Sequence, residues 1–133
     1  RWDSLRPDGT VNPGEMTSFN HYALGAVADW LHRVVGGLAP AAPGYRRLEL
    51  RPRIGGGLTS ARARHRTPYG PAECAWRLDG EDIEVTTTVP PGTTARVVLP
   101  SSDIAPFEVE SGSHRWAYKV TLDEPNADGA APR

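Results

Sequence analysis

The sequence predicts a mainly β protein: a C-terminal antiparallel β-sandwich preceded by one α-helix. Three observations lead to this prediction. The 133 residues include 14 glycines and 13 prolines, a density of turn-forming residues that suits short strands better than a helical bundle. From Tyr45 onward, apolar residues alternate with polar ones in short runs that end at turn signals. Before Tyr45, apolar residues recur at steps of three and four, the period of a helix.

One amphipathic helix is predicted over residues 18–35. Thr17 or Ser18 can cap its first turn, and Gly36-Gly37 ends it. Its apolar face consists of Phe19, Ala23, Leu24, Val27, Trp30, Leu31 and Val34. Because a helix buries such a face against another element, either the β-domain covers it or its partner lies outside this chain.

The strands follow from alternation. Leu48 and Leu50 begin the β-region, and Gly55-Gly56-Gly57 forms a hinge or turn. The strongest local signal is Asp79-Gly80, which predicts a β-hairpin between two alternating runs. Further apolar sets are Cys74, Trp76 and Leu78; Ile83, Val85 and Val89; Ala95, Val97 and Leu99; Trp116, Tyr118, Val120 and Leu122. Residues before the helix form a loop with turns at Asp8-Gly9 and Asn12-Pro13-Gly14.

Composition excludes several classes of protein. A net charge of −1 provides no field that would attract nucleic acid or an anionic membrane, and no apolar run is long enough to span a bilayer. The lone Cys74 has no disulfide partner within the chain and is expected to be a buried apolar residue. Arg1 is not expected to be the natural start, because no initiator Met precedes it, so the compartment stays unknown.

The chain has few motifs that indicate chemistry. It contains no phosphate-binding loop, no Cys/His metal spacing and no nucleophile elbow. His21, at the start of the helix, can hydrogen-bond a hydroxyl-rich ligand, but its spacing alone favours packing beside the cap or exposure to water. His32, His65 and His114 are expected to be structural. Trp30, Trp76 and Trp116 are expected in the core, and Trp2 is either a sugar-stacking platform or a packing residue.

The charged residues give no catalytic pair. Glycoside hydrolysis usually needs two carboxylates, and nothing pairs the candidates Asp3, Asp8 and Glu15 of the N-terminal loop. The row Arg62, Arg64 and Arg66 lacks interleaved aromatic residues, so a solvated sheet face is favoured over a polyanion site.

Several segments, in order, resemble the C-terminal end of bacterial α-L-rhamnosidases. The resemblance begins with Gly14-Glu15-Met16-Thr17-Ser18-Phe19-Asn20-His21-Tyr22-Ala23, Gly25-Ala26-Val27 and Trp30-Leu31. It continues through Pro43-Gly44-Tyr45, Arg51-Pro52, Gly56-Gly57-Leu58, Thr67-Pro68-Tyr69-Gly70, Val89-Pro90-Pro91-Gly92-Thr93-Thr94-Ala95 and Val98-Leu99-Pro100.

This resemblance implies a multidomain, inverting glycoside hydrolase with an (α/α)6-barrel catalytic domain and a C-terminal β-sandwich. Residues 1–36 would then be the end of the barrel domain, whose last helix is the predicted helix. Residues 37–45 would be a linker, 46–123 the sandwich and 124–133 a disordered tail. The partners implied are a rhamnose-containing glycoside or polysaccharide and the remainder of the barrel, with no nucleic acid, no membrane, no cofactor and no metal.

The resemblance also implies site residues. His21 matches a family histidine that faces the sugar-binding cleft, Trp2 matches the tryptophan of the family's Trp-Glu-Arg-Trp-Asp motif, and Asn20 is adjacent to His21. The glutamate of that motif, the catalytic base, would fall immediately before Arg1, and the general acid lies far upstream. No catalytic residue is therefore assigned within this chain, and the chain alone is expected to be inactive. The alternatives are a carbohydrate-binding module and a purely structural β-sandwich.

Overall fold

A computed structural model describes residues 5–14 and 23–120. The chain divides into two units, Arg1–Trp30 and Leu31–Arg133. The described part of the first unit contains a tight loop and the helix α1 (Ala23–Trp30). The second unit begins with a π-helical turn, Leu31–Val35, and continues as two four-stranded sheets. The predicted mainly β fold is confirmed.

The N-terminal loop is a small hairpin-like turn. Leu5 and Val11 form an antiparallel bridge. The Asp8 carboxylate closes the turn between them by accepting hydrogen bonds from the Thr10 amide (2.9 Å) and the Thr10 hydroxyl (2.7 Å). Gly9 has φ = 81°, a conformation that a glycine adopts without steric cost. The turn predicted at Asp8-Gly9 is thus confirmed.

The helix ends where the sequence predicts. The α-helical hydrogen bonding passes into the π-helical turn, which ends at Val35, and residues 18–22 of the predicted helix lie outside the described residues. Val27 is 59% exposed and Trp30 is 54% exposed. The sequence predicts that Trp30 lies in the core, and its exposure does not agree with that expectation.

Within residues 5–14 and 23–120, eight strands form the two sheets. In chain order they are β1 (Leu38–Pro40), β2 (Arg47–Leu50), β3 (Ser60–Thr67), β4 (Gly70–Asp79), β5 (Asp82–Val89), β6 (Thr94–Val97), β7 (Phe107–Val109) and β8 (Gly112–Lys119). The strand order is β1-β2-β6-β7 in the first sheet and β3-β4-β5-β8 in the second. The strands have 3 to 10 residues, in agreement with the short strands that the high glycine and proline content predicts.

One strand pair is parallel. β2 pairs with β6 in parallel, with Leu48 opposite Ala95 and Leu50 opposite Val97, whereas every other pair of named strands is antiparallel. The sequence predicts an antiparallel sandwich and does not indicate this pair. Alternation determines which side chains face inward, but it does not determine the direction of the partner strand.

The predicted linker contributes to the first sheet. Residues 38–40 form β1, which pairs with β2, and a 3₁₀ turn follows at Pro43–Tyr45. Leu38 has no exposed surface, so this segment is part of the core. A strand of three residues, with prolines at positions 40 and 43, is too short to show alternation. This explains why the sequence predicts a linker at residues 37–45.

The predicted hairpin between β4 and β5 is confirmed, although its loop begins one residue after Asp79. Asp79 pairs with Asp82, so Gly80 and Glu81 form a two-residue loop, and Gly80 has φ = 60° as a loop of this kind requires. The inward residues of β4 and β5 meet those of the first sheet in one core. That core comprises Leu38, Leu48, Leu50, Ala63, Ala72, Cys74, Trp76, Ile83, Val85, Val89, Ala95, Val97, Leu99 and Val120.

Candidate functional site

The residues that the resemblance implies for sugar binding, Trp2, Asn20 and His21, lie outside the described residues. Two candidate carboxylates, Asp3 and Glu15, lie outside them as well. These assignments therefore stay predictions.

Asp8 is a turn residue rather than a general acid. The hydrogen bonds from Thr10, first from its hydroxyl and then from its amide, favour the charged carboxylate and lower the pKa of Asp8 below its ordinary value of 3.8. A general acid for glycoside cleavage needs a raised pKa. Asp8 has the opposite shift.

The described residues contain no group of three or more His, Cys, Asp or Glu side chains that could hold a metal ion. They also contain no helix that is both long and apolar enough to cross a membrane.

The three histidines expected to be structural, His32, His65 and His114, lie among the described residues, and each has a ring contact. The His65 ring packs against Tyr45 at 4.5 Å between centroids, and its other contact is an edge of His32 at 6.2 Å. His114 stacks on Trp116 at 5.8 Å, and its Nε2 lies 2.9 Å from the Glu110 carbonyl oxygen. The His32–His65 contact joins the π-helical turn to β3, and the His114–Glu110 contact joins β8 to the residue that follows β7.

The outer face of the second sheet is charged. Glu73 accepts from Arg62 at 2.7 Å and from Arg64 at 3.0 Å, and Glu84 accepts from Arg115 at 2.7 Å. Arg62, Arg64 and Arg66 are exposed. The predicted solvated face is confirmed for this row, and two of its three arginines are engaged by one carboxylate.

A depression of about 290 Å³ is lined by residues of β4, β5 and β8. Its lining is Glu73, Thr86, Thr87, Thr88, Ser113, His114 and Arg115. Hydroxyls there could contact a sugar, but neither a tryptophan nor a tyrosine lines it, and the ion pairs above already engage Glu73 and Arg115. It therefore lacks the stacking surface that sugar rings prefer.

The aromatic residues Trp76, Trp116 and Tyr118 of the described strands are buried or half-buried. Trp76 is 2% exposed. The half-buried Trp116 packs edge-on against Phe107 of the first sheet at 5.6 Å, and the Tyr118 hydroxyl donates to the Pro100 carbonyl at 2.7 Å. The core prediction is confirmed for Trp76. Among the described strands, these side chains join the two sheets and do not form an exposed platform.

The junction between the π-helical turn and the sandwich was not predicted. The Trp76 indole N–H donates to the Val35 carbonyl at 2.8 Å, and the Arg53 amide donates to the Val34 carbonyl at 3.0 Å. One signal was available in the sequence: a buried tryptophan needs an acceptor for its N–H. The spacing could not show that the acceptor lies 41 residues earlier.

These features describe a β-sandwich module joined to the end of a helical segment, without a catalytic constellation among the described residues. The chain belongs to the bacterial α-L-rhamnosidase family. Residues 37–114 match the bacterial α-L-rhamnosidase C-terminal domain, and residues 1–35 match the bacterial α-L-rhamnosidase six-hairpin glycosidase domain.

Two curated relatives illustrate the extent of the similarity. An α-L-rhamnosidase of Streptomyces avermitilis is 41% identical over 87% of this chain, and one of Formosa agariphila is 35% identical over 84%. The aligned parts amount to 13% and 12% of those two proteins. The chain thus spans about an eighth of the length of these relatives.

Solved structures share the fold. The native α-L-rhamnosidase from Aspergillus terreus superposes with a TM-score of 0.75 at 50% identity and covers 88% of this chain and 14% of its own. The Streptomyces avermitilis α-L-rhamnosidase complexed with L-rhamnose gives a TM-score of 0.74 at 41% identity, covering 90% of this chain and 13% of its own. The Dictyoglomus thermophilum enzyme, at 22% identity, supports the fold alone.

Proposed function

We propose that this chain is the C-terminal part of an α-L-rhamnosidase that hydrolyses terminal, non-reducing α-L-rhamnose with inversion. The observation that carries the proposal is the order of the two family matches, 1–35 to the six-hairpin glycosidase domain and 37–114 to the C-terminal domain. The substrate class comes from the names of the relatives, one of which has been solved with L-rhamnose.

The remainder of a helical barrel is the proposed partner of α1. Val27 and Trp30 are each more than half exposed in this chain, although apolar side chains at this spacing form a face that a helix buries. Six-hairpin packing would supply the missing helices. This support is independent of any substrate.

The chain alone is proposed to be inactive. Inverting hydrolysis needs a general acid and a general base on carboxyls separated by about 6.5–9.5 Å, so that a water molecule fits between the base and the sugar. The resemblance places both carboxyls upstream of Arg1. We expect no release of aryl alcohol from an aryl α-L-rhamnoside by the purified 133-residue chain, and release by the full-length enzyme. Turnover by the 133-residue chain would contradict the proposal.

Inversion is tested on the full-length enzyme. Proton NMR of the first rhamnose released should show the β-anomer before mutarotation, because attack by water opposite the leaving group inverts the α-linkage. Initial appearance of the α-anomer would reject inversion while leaving the hydrolase assignment in place.

His21 is proposed to contact the sugar, with Trp2 and Asn20 at the wall of the same cleft. His21→Ala in the full-length enzyme should lower kcat/KM at least 10-fold, about 1.4 kcal/mol of lost transition-state stabilisation. His65→Ala is the matched control, since it removes an exposed imidazole from β3, away from the depression described above, and should leave kcat/KM unchanged. An unchanged rate for His21→Ala would favour the structural interpretation of this residue.

A carbohydrate-binding role for the sandwich is the second candidate. Its supporting observation is the hydroxyl-lined depression at Thr86, Thr88 and Ser113, and the buried or half-buried aromatic residues weigh against it. Saturable binding of L-rhamnose to the 133-residue chain, abolished by Thr86→Val with Thr88→Val, would support this role.

A further inference from the structure

We propose that the β-sandwich has a function that the family assignment does not state: it caps the end of the last helical segment of the six-hairpin domain and locks its final turn, with Trp76 as the coupling residue. The assignment of Leu31–Val35 to that domain rests on the family match and thus on the proposed function. The coupling itself rests on contacts within one compact unit.

The evidence for capping is the set of N–H groups that donate hydrogen bonds to the carbonyl groups of the π-helical turn Leu31–Val35. A helix end leaves its last four carbonyls without intrahelical partners. Here the Leu31 carbonyl accepts from the Gly36 amide at 2.8 Å, which closes the π-helical turn. The next donors come from the sandwich side of the chain, the Arg53 amide for Val34 and the Trp76 indole for Val35. The sandwich therefore supplies the C-cap.

The dependence is mutual at Trp76. This residue lies on β4, which is paired on both sides by β3 and β5, and only 2% of its surface is exposed. Its N–H has an acceptor because Val35 is in place. If the turn moved away, a buried donor would lose its partner, which is costly in a protein interior. The turn and the sheet consequently hold each other.

Two glycines make the contact close. A Cβ on Gly36 would lie 2.5 Å from the Ala63 Cβ, and a Cβ on Gly37 would lie 2.2 Å from the Pro52 nitrogen. Gly37 also has φ = 77°, and its carbonyl accepts from the Arg51 amide at 2.8 Å. The chain can leave the helix and pass directly over the sandwich only because neither residue carries a side chain.

These contacts connect residues on the two sides of the boundary between the two matched family domains. The matched segments meet between residues 35 and 37, yet Leu31–Val35 belongs to the same compact unit as the sandwich. The sandwich is therefore a structural part of the helical domain's last turn. We infer that the final turn opens in step with the loss of the Trp76 hydrogen bond and not independently of the sheet.

Amide hydrogen exchange of the 133-residue chain tests this inference. Trp76→Phe keeps an aromatic ring and removes the N–H, so exchange of the Gly36 and Arg53 amides should accelerate at least 10-fold relative to the Val98 amide, which donates to Leu50 in the first sheet. Trp116→Phe is the matched control and should leave this ratio unchanged. An unchanged ratio in Trp76→Phe, or an equal rise in Trp116→Phe, would overturn the proposal.

The wild-type chain provides a second readout if Trp76→Phe does not fold. The Trp76 indole N–H should exchange as slowly as the Gly36 amide, whereas the exposed Trp30 indole should exchange freely. Free exchange at Trp76 would also overturn the proposal. Neither measurement uses a substrate. The exchange data can therefore contradict the coupling while the full-length enzyme shows rhamnosidase activity, and they can support the coupling while that activity is absent.

Discussion

The environment of Cys74 differs from that of a reactive cysteine, which needs a lowered thiol pKa. Burial in the middle of β4, with a smaller contribution from the charge of Glu73, raises the pKa of its thiol from 9.0 to about 12. A thiol with so high a pKa is neutral at physiological pH and is a poor nucleophile. The expectation of a buried cysteine in an apolar environment is confirmed.

We predict that Cys74 does not react with a chromogenic disulfide reagent at pH 8 in the native chain and reacts fully in denaturant. Because its folded pKa is raised, the folded state holds the proton more tightly than the unfolded state. Stability present below pH 9 should therefore fall as the pH rises from 9 towards 12, by at most about 1.4 kcal/mol per pH unit for this group. Urea unfolding across that range, with Cys74→Ala as control, would show a smaller slope for the variant.

Tyr118 is a half-buried residue whose hydroxyl group has a partner within the chain. Burial raises the pKa of its hydroxyl to about 12, and the hydroxyl donates to the Pro100 carbonyl. Tyr118→Phe should lower the free energy of unfolding by about 1 kcal/mol. Tyr69→Phe, at a 40% exposed tyrosine, is the control and should have a smaller effect. Equal losses would show that the Pro100 contact does not stabilise the fold.

At the scale of elements, the junction after the π-helical turn depends on backbone geometry. Gly37 and Gly57 have nearly the same φ, 77° and 74°, but a Cβ would strike the Pro52 backbone at Gly37 and nothing within 4 Å at Gly57. The two positions therefore separate the cost of a left-handed conformation from the cost of a clash.

Gly57→Ala should cost about 1–2 kcal/mol, the penalty for a left-handed residue. Gly37→Ala should cost about 3 kcal/mol or more, because a clash with backbone atoms cannot be relieved by a change of rotamer. Chemical denaturation of both variants measures the difference. A Gly37→Ala variant as stable as Gly57→Ala would mean that β1 and the Pro52 segment can separate without loss.

The elements also show what local pattern can predict. The alternation of apolar and polar residues located β4 and β5. This works because successive side chains of a strand point to opposite faces of the sheet, so that every second side chain faces the core. Alternation missed β1, whose burial comes from pairing with β2. It also missed the parallel direction of β2 and β6, since 43 residues lie between Leu50 and Thr94.

On the scale of the whole molecule, charge contributes little to cohesion. Several ion pairs among the described residues join exposed groups, such as Lys119 with Asp82 at 3.3 Å and Arg47 with Glu108 at 3.1 Å. Hydrogen bonding to Arg115 lowers the pKa of Glu84, but the side chain of Glu84 is still 42% exposed to solvent. Solvent screens such pairs. The buried apolar core is the main source of stability.

We therefore predict that raising NaCl from about 0.05 M to about 1 M shifts the Tm of the 133-residue chain by only a few degrees, since screening at high salt removes exposed pairs that stabilise little. Calorimetry at the two concentrations measures this shift, with Glu84→Gln as a control that should unfold at nearly the wild-type temperature. A large fall in Tm at high salt would show that the Arg–Glu pairs act as a cooperative network.

The sequence by itself determined the class of fold, the end of the helix at Val35, the hairpin at Asp79-Gly80 and the family resemblance that the comparisons bear out. These are local properties, because residue period and glycine conformation are readable from neighbouring residues. The candidate site at Trp2, Asn20 and His21 came from resemblance alone and awaits the variants proposed above. Only the tertiary structure decided the partner of the Trp76 N–H, the parallel pair and the exposure of Trp30. Each depends on which distant segments meet, and that is set by the packing of the whole core.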